Sequence, residues 1–130
     1  MNGITLAYAL GMALLLLLVD FGAMRSVASY VHQTFLLDKI IHFAMYGLLA
    51  LMVGASLLNR SRSRSFGAIA TGGIVVAMLS TLEECSNAFV VFRTCSLADL
   101  AANYLGIVCL GILPLVAWQR SQSATCGRRL

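Results

Sequence analysis

Long apolar stretches alternate with short polar segments along the whole chain. The apolar stretches cover approximately residues 4–24, 38–58, 66–87 and 97–118. Each is close to the roughly 20 residues that an α-helix needs to cross the hydrocarbon core of a bilayer. The pattern therefore predicts an all-α fold, an integral membrane four-transmembrane-helix bundle formed by a single domain over residues 1–130.

The first apolar stretch shares only its N-terminal position with a secretory signal peptide. A signal peptide begins with a positively charged segment, and residues 1–10 contain no Lys or Arg. We therefore expect this stretch to be a retained helix.

Two of the predicted helices carry small residues at helical spacing. In the second helix, Gly47, Ala50 and Gly54 recur at intervals of three and four residues. In the third helix, the same intervals join Gly73, Ala77, Ser80, Glu84 and Asn87. Residues at these intervals share one face of a helix, and small residues allow helices to pack closely in membranes. Both faces are predicted to contact protein rather than lipid.

The composition excludes an ordinary soluble domain. Of the 130 residues, 60% are hydrophobic and only 11% are charged, which is too few charges for the surface of a soluble fold. The net charge of +4 comes from arginines in the polar segments. It therefore indicates membrane topology rather than nucleic-acid binding. The expected partner is the lipid bilayer, and binding to nucleic acid is not expected.

Lys and Arg are distributed unequally between the two sides of the predicted bundle. One side has Arg60, Arg62, Arg64, Arg120, Arg128 and Arg129. The other side has Arg25, Lys39 and Arg93. Because cytoplasmic loops of membrane proteins are enriched in Lys and Arg, both termini are predicted to be cytoplasmic.

Polar residues of three predicted helices fall at the same depth. Glu84 lies near the end of the third helix, while Asp38 and Asp99 head the two helices that start on that same side. His42 and Asn103 each follow four residues later, which is about 6 Å further along a helix. These residues should therefore meet in one layer just inside the outer surface.

The sequence leaves two interpretations of this layer open. It is either a functional pocket that opens outward or a set of polar contacts that only holds the helices together. A charged residue at mid-bilayer costs roughly 2.5–3.5 kcal/mol, and such residues commonly have a function, so we favour the pocket. In it, Glu84 and His42 would act as acid and base, and Arg93 would bind phosphate or carboxylate.

Other chemistry is less well supported by the residue pattern. Carboxylates and an imidazole suit several metals, but no compact ligand motif occurs, so neither a metal site nor a cofactor is predicted. Whether the protein is an enzyme stays open. Cys85 and Cys95 both fall near the outer side, where they would be either free thiols or a disulfide.

The same residues carry a resemblance to a known family. The ordered pattern Asp38-Lys39-x-x-His42-x-x-x-Tyr46, then Glu84-x-x-Asn87-x-Phe89-x-x-x-Arg93-x-x-x-x-x-Asp99-x-x-x-Asn103-x-x-Gly106, resembles the VanZ-like family. The similarity covers about residues 38–111, and the rest of the chain matches that family's first helix and tail. Asn87 departs from the pattern, because the family usually has Gln at that position.

The resemblance implies a small multi-pass protein of the bacterial cytoplasmic (inner) membrane. The founding VanZ protein is linked to low-level resistance to the glycopeptide teicoplanin, and other relatives occur near envelope or exopolysaccharide genes. The implied ligand is an envelope molecule, such as a lipid-linked saccharide or peptidoglycan precursor. The predicted ligand-binding residues are Asp38, Lys39, Tyr46, Asn87, Arg93, Asp99 and Asn103.

Two other functions compete with ligand binding. One is a non-catalytic scaffold or accessory subunit of an envelope or exopolysaccharide complex, in which the small-residue faces would bind other envelope proteins or a second copy. The other is a small transporter, which is disfavoured because four helices seldom enclose a path without dimerising.

Overall fold

A computed structural model describes residues 3–20, 26, 30–31, 33–61, 66–89 and 96–127. Within these ranges the chain is helical, and no strand occurs. The principal elements are α1 (Gly3–Asp20), α2 (Phe35–Arg60), α3 (Phe66–Ser86), a 3-10 turn (Asn87–Phe89), α4 (Leu97–Gly106), a π-helical segment (Ile107–Ile112) and α5 (Leu113–Gly127). The all-helical prediction is confirmed.

Among the described residues, three continuous helical stretches are long and apolar enough to cross a membrane. They are Phe35–Arg60, Phe66–Phe89 and Leu97–Gln122. The apolar part of α1, Gly3–Leu18, is shorter. The outward faces of these helices are also apolar, as expected for contact with lipid. The chain is thus built like a membrane protein, while the fourth span stays a prediction.

The start of α2 differs from the sequence-based prediction. The helix begins at Phe35 rather than at Asp38, because Phe35, Leu36 and Leu37 continue the apolar run and contain no helix-breaking residue. Asp38 still lies in the first turn, where a carboxylate interacts favourably with the N-terminal end of the helix dipole. Asp38 is thus favourably placed at the start of the helix although the boundary differs.

Helix α2 is central and contacts every other principal helix. One apolar cluster surrounds Tyr46, Leu49, Ala50, Val76 and Ile107. A second cluster, formed by Leu58, Ile69 and Leu115, lies further along α2. The interior is therefore formed mainly by α2, α3 and the continuous helix from α4 to α5.

Glycines bring α2 unusually close to its neighbours. A Cβ atom at Gly106 would overlap the backbone carbonyl oxygen of Phe43. A Cβ atom at Gly72 would lie 2.8 Å from the Cα atom of Gly54. Such contacts leave no room for any side chain, so the backbones themselves touch. The small-residue face of α2 is thus confirmed as a protein contact.

The face of α3 predicted to contact protein, with small residues followed by Glu84 and Asn87, also points into the protein. Gly73, Ser80, Glu84 and Asn87 are buried, and Ala77 packs against the first apolar cluster. The prediction that this face avoids lipid is confirmed.

A π-helical segment separates α4 from α5. The backbone N–H of Leu113 donates to the carbonyl of Val108, five residues back. Gly106 and Gly111 both pack against α2, although residues five apart in a regular α-helix would point about 140° apart. The wider turn of the π-helix instead brings both glycines towards the same neighbour.

Side-chain contacts show how α1 is oriented relative to α2. The Oγ atoms of Thr5 in α1 and Ser56 in α2 are 3.0 Å apart, and the Tyr8 hydroxyl donates to the carbonyl oxygen of Met45 at 3.1 Å. These contacts show that α1 runs antiparallel to α2. The start of α1 therefore lies beside the end of α2.

The bundle consequently has two different ends. Phe66, at the start of α3, lines a surface cavity together with Gln119 and Arg120 of α5. One end of the bundle contains the start of α1, the end of α2, the start of α3 and the later part of α5. We call it the arginine-rich end. The opposite end, with the start of α2, the end of α3 and the start of α4, is called the acidic end.

Replacing Gly106 with Ala tests the close backbone contact. Overpacking typically costs about 1–3 kcal/mol, and here the obstructing atom is a backbone carbonyl that cannot rotate away. We expect the free energy of unfolding to fall by about 2 kcal/mol or more, measured by thermal unfolding in detergent. Gly11→Ala is the matched control, because a Cβ at Gly11 has nothing within 4 Å. Equal stability of both variants would contradict the close contact.

Candidate functional site

Five polar residues from α2 and α4 meet at the acidic end. We call them the polar cluster: Asp38, Lys39, His42, Asp99 and Asn103. Asp38, Asp99 and Asn103 are buried, whereas Lys39 and His42 are partly buried. The structure thus brings together Asp38, His42, Asp99 and Asn103, four of the five residues that the sequence predicted to share one layer; the fifth, Glu84, is described below.

Lys39 joins the two aspartates. Its Nζ atom lies 2.8 Å from Oδ2 of Asp38 and also forms an ion pair with Oδ1 of Asp99. The side chains of Lys39, Asp38 and Asp99 are only 16%, 10% and 5% exposed. The Lys39 ammonium also lies 5.0 Å from the centre of the Phe35 ring, within range of a cation–π interaction. One cation is therefore shared by two carboxylates from different helices.

His42 and Asn103 form the inner part of the polar cluster. Nδ1 of His42 and Oδ1 of Asn103 are 3.1 Å apart. An amide oxygen only accepts hydrogen bonds, so in this arrangement Nδ1 is the ring nitrogen that would donate to Asn103. The other ring nitrogen, Nε2, faces Oδ1 of Asp38 at 4.0 Å.

Glu84 connects α3 to the start of α4. It accepts a hydrogen bond from the backbone N–H of Ser96 and a second, at 3.3 Å, from Nδ2 of Asn87. Ser96 in turn caps α4, since its Oγ accepts from the backbone N–H of Asp99. Glu84 and His42, the predicted acid and base, therefore have different partners and do not hydrogen-bond to each other.

Glu83 belongs to this network, although the sequence analysis did not select it as a site residue. The Tyr46 hydroxyl donates to Oε2 of Glu83 at 3.2 Å, and Nδ2 of Asn87 lies 3.3 Å from Oε1. Tyr46 and Asn87 were both predicted as ligand-binding residues. The sequence did contain a signal for Glu83, because its spacing places it on the same face of α3 as Val76 and Ser80, which are buried.

Ser96 was also missed. The motif Ser96-Leu-Ala-Asp99 matches the general pattern of a helix N-terminus, in which Ser is followed three residues later by an acid. The pattern could have identified Ser96 as the residue that fixes the start of α4.

Two buried amide atoms of the site have no hydrogen-bond partner among the described residues. They are Oδ1 of Asn87, an acceptor, and Nδ2 of Asn103, a donor. Asn87 is 2% exposed and Asn103 is 0% exposed. An unsatisfied buried polar atom costs about 1–3 kcal/mol, so both atoms call for a partner.

Some predicted features fall outside the described residues. Arg93, the proposed anion-binding residue, is among them, and so is Cys95. Cys85 is an exposed free cysteine.

The polar cluster also groups three side chains of types that can ligate a metal ion. One ligand atom from each of Asp38, His42 and Asp99 can be chosen so that all three lie within 4.8 Å of one another. The sequence analysis predicted no metal site, because these residues are distant along the chain and form no local motif. Only the packing of α2 against α4 brings them together.

Comparison with known proteins adds no assignment: the chain matches no protein-family model, no curated protein and no solved structure. The resemblance to the VanZ-like family therefore rests on the residues quoted above and stays a prediction.

A double-mutant cycle tests whether Lys39 couples the two helices. Removing one partner of a buried ion pair costs about 3–5 kcal/mol, because the other charge is left unpaired. We expect Lys39→Gln to lower the free energy of unfolding by about 3 kcal/mol. Asp99→Asn should lower it much less in the Lys39→Gln background than in the wild-type protein.

The cycle is measured by unfolding in detergent, with Arg60→Gln as control, because Arg60 is exposed at the arginine-rich end. Effects of Lys39→Gln and Asp99→Asn that add within about 0.5 kcal/mol would rule out the coupling.

Proposed function

We propose that this protein is a small multi-pass membrane protein whose acidic end binds the polar headgroup of a cell-envelope molecule. A lipid-linked saccharide or a peptidoglycan precursor is the ligand class that we favour. The binding residues would be the polar cluster together with Tyr46, Glu83, Glu84 and Asn87. Arg93 is retained from the sequence as a further contact to phosphate or carboxylate.

The observation that supports this proposal most directly is the pair of unsatisfied amide atoms. A purely structural polar layer gains nothing from leaving an acceptor on Asn87 and a donor on Asn103 without partners. A ligand rich in hydroxyl and amide groups can supply both a donor and an acceptor. Saccharide and peptide headgroups have this property, whereas a simple acyl chain does not.

The depth of the site supports a headgroup ligand. Asp38 is the fourth residue of α2 and Asp99 is the third residue of α4, so both lie only about 5 Å or less along the axis from a helix end. A molecule anchored in the bilayer by a lipid chain would carry its headgroup at this level.

The proposal includes a cellular setting that rests on charge and on the family resemblance. The arginine-rich end would face the cytoplasm, with four spans and both termini inside. The acidic end would face outward from the bacterial cytoplasmic membrane. Membership of the VanZ-like family, and with it a contribution to glycopeptide resistance, is part of this proposal.

The scaffold hypothesis has less support. It assigned the small-residue faces to partner proteins, yet the face of α2 packs against this chain's own α3 and α4 through Gly54 and Gly47. Those faces are therefore not available to another protein in the folded chain.

Ligand binding can be tested with the full-length protein in lipid nanodiscs. The probes are a polyprenyl diphosphate that carries a disaccharide-pentapeptide and a polyprenyl monophosphate without sugar. We expect the wild-type protein to prefer the first, and Asn103→Leu and Asn87→Leu to weaken its binding by about tenfold, because each removes hydrogen bonds worth roughly 1.4 kcal/mol or more. Native mass spectrometry measures both affinities.

Asn59→Leu provides the matched control, because Asn59 is an exposed Asn near the arginine-rich end of α2. It should bind like the wild type. If all three Leu variants bind the saccharide probe equally, the polar cluster is not the binding site.

Cysteine labelling tests the proposed orientation. In a variant with its native cysteines replaced, Ala98→Cys at the exposed start of α4 should react with a membrane-impermeant maleimide added to intact cells. Ser61→Cys, at the end of α2, should react only after the membrane is permeabilised. The reverse pattern of labelling would place the acidic end in the cytoplasm.

A further inference from the structure

We propose that Asp38, His42 and Asp99 bind a divalent transition-metal ion, for which Zn²⁺ is the best-matched probe. This inference rests on the proposed function in one respect, since it treats the polar cluster as a binding site. It goes further by naming an inorganic ligand and the atoms that would hold it.

The geometry of the three side chains is close to that of a metal site. Their chosen ligand atoms lie within 4.8 Å of one another. Ligands about 2.0–2.2 Å from a Zn²⁺ ion are separated by roughly 3–4 Å, so a movement of about 1 Å closes the set. Two carboxylates and one imidazole leave a coordination position for water or for a ligand oxygen, as in catalytic rather than structural zinc sites.

The orientation of His42 fits this role. A metal-bound imidazole usually donates its other N–H to an oxygen atom that fixes the ring. Here Nδ1 of His42 lies 3.1 Å from Oδ1 of Asn103, so Nε2 is the ring nitrogen directed towards Asp38. A metal ion placed between Nε2 of His42 and Oδ1 of Asp38, which are 4.0 Å apart, would be bound by both atoms.

Asn103 provides a separate indication of a missing ligand. Its Nδ2 atom is buried and has no partner among the described residues, while the same amide holds the His42 ring. A water molecule or a phosphate oxygen bound to the metal would accept a hydrogen bond from this N–H group. The unsatisfied donor is thus available to the water or phosphate oxygen that the ion would carry.

The charge balance of the site also favours a cation. The described part of the site contains four carboxylates, namely Asp38, Glu83, Glu84 and Asp99, and one ammonium group, that of Lys39. Adding the guanidinium of Arg93 would still leave more acidic than basic groups. Excess negative charge is costly in an apolar layer, and a divalent ion would offset it.

Lys39 is the internal competitor of the metal. Its ammonium occupies part of the space between the two aspartates. Its flexible side chain lies near the N-terminal start of α2 and can carry the charge outward to water. Metal binding would therefore be accompanied by release of Lys39, and removing the Lys39 charge should strengthen it.

The test uses full-length protein without an affinity tag, with its four cysteines replaced by Ser because thiolates also bind Zn²⁺. Zn²⁺ binding is measured by isothermal titration in detergent, with no envelope precursor present, and Mn²⁺ is a second probe. We expect Asn103→Leu to weaken binding by about 10–100-fold, as is typical when the partner of a ligating His is lost. His42→Gln and Asp99→Asn should weaken it at least as much.

Two further variants separate a metal site from a structural role. Asn59→Leu changes an exposed polar residue at the arginine-rich end, far from the ligand set, and should leave the affinity within about threefold of the wild-type value. Lys39→Gln should be destabilised without metal, bind Zn²⁺ more tightly than the wild type, and regain thermal stability when Zn²⁺ is added. A structural ion pair alone predicts the destabilisation but not the recovery.

Failure of this inference is distinct from failure of the proposed function. No Zn²⁺ or Mn²⁺ binding, or equal affinity in the wild type, His42→Gln and Asp99→Asn, would overturn the metal site. Binding of the saccharide probe, which is measured in metal-free buffer, would be unaffected by that result.

Discussion

Ionised side chains in an apolar layer must be paired or hydrogen-bonded, and this constraint organises the acidic end. Lys39 links α2 to α4 through the two aspartates. Glu84 links α3 to α4 through the backbone of Ser96, and Glu83 links α3 to α2 through Tyr46. Each pair of the three long helices is thus joined by one contact that involves a carboxylate. The charged side chains therefore form the polar contacts between the helices of the bundle.

These polar contacts depend on the glycine packing just below them. Gly47 and Gly106 bring the backbones of α2 and α4 together, one to two turns from His42 and Asn103. At a larger separation the short amide of Asn103 could not reach the imidazole. Tight apolar packing and a specific polar site are therefore two results of the same helix approach. This relation also explains why the site lies between α2 and α4 rather than on the lipid-facing surface.

The features that followed from sequence are those set by local periodicity. The four-residue spacing from Asp38 to His42, and from Asp99 to Asn103, was enough to predict a shared layer. Helical spacing also places Glu83 on the face of Val76 and Ser80, but it could not identify Tyr46 as its partner, because that contact depends on how α2 and α3 cross. The grouping of metal-ligand atoms likewise exists only after α2 and α4 have packed. Helix bounds were close, and α2 begins one turn early because its apolar run extends back to Phe35.

The π-helical segment Ile107–Ile112 has a consequence for how this chain is aligned with others. A π-turn holds one residue more than the α-turn it replaces. A relative that lacked this extra residue would form an uninterrupted α-helix and keep both flanking faces directed at α2. An ungapped alignment of the two would then match Asp99 and Asn103 correctly, yet pair Leu115 with a neighbour on the wrong face. Aligning such a relative with this helix therefore requires a single-residue gap between Gly106 and Leu113.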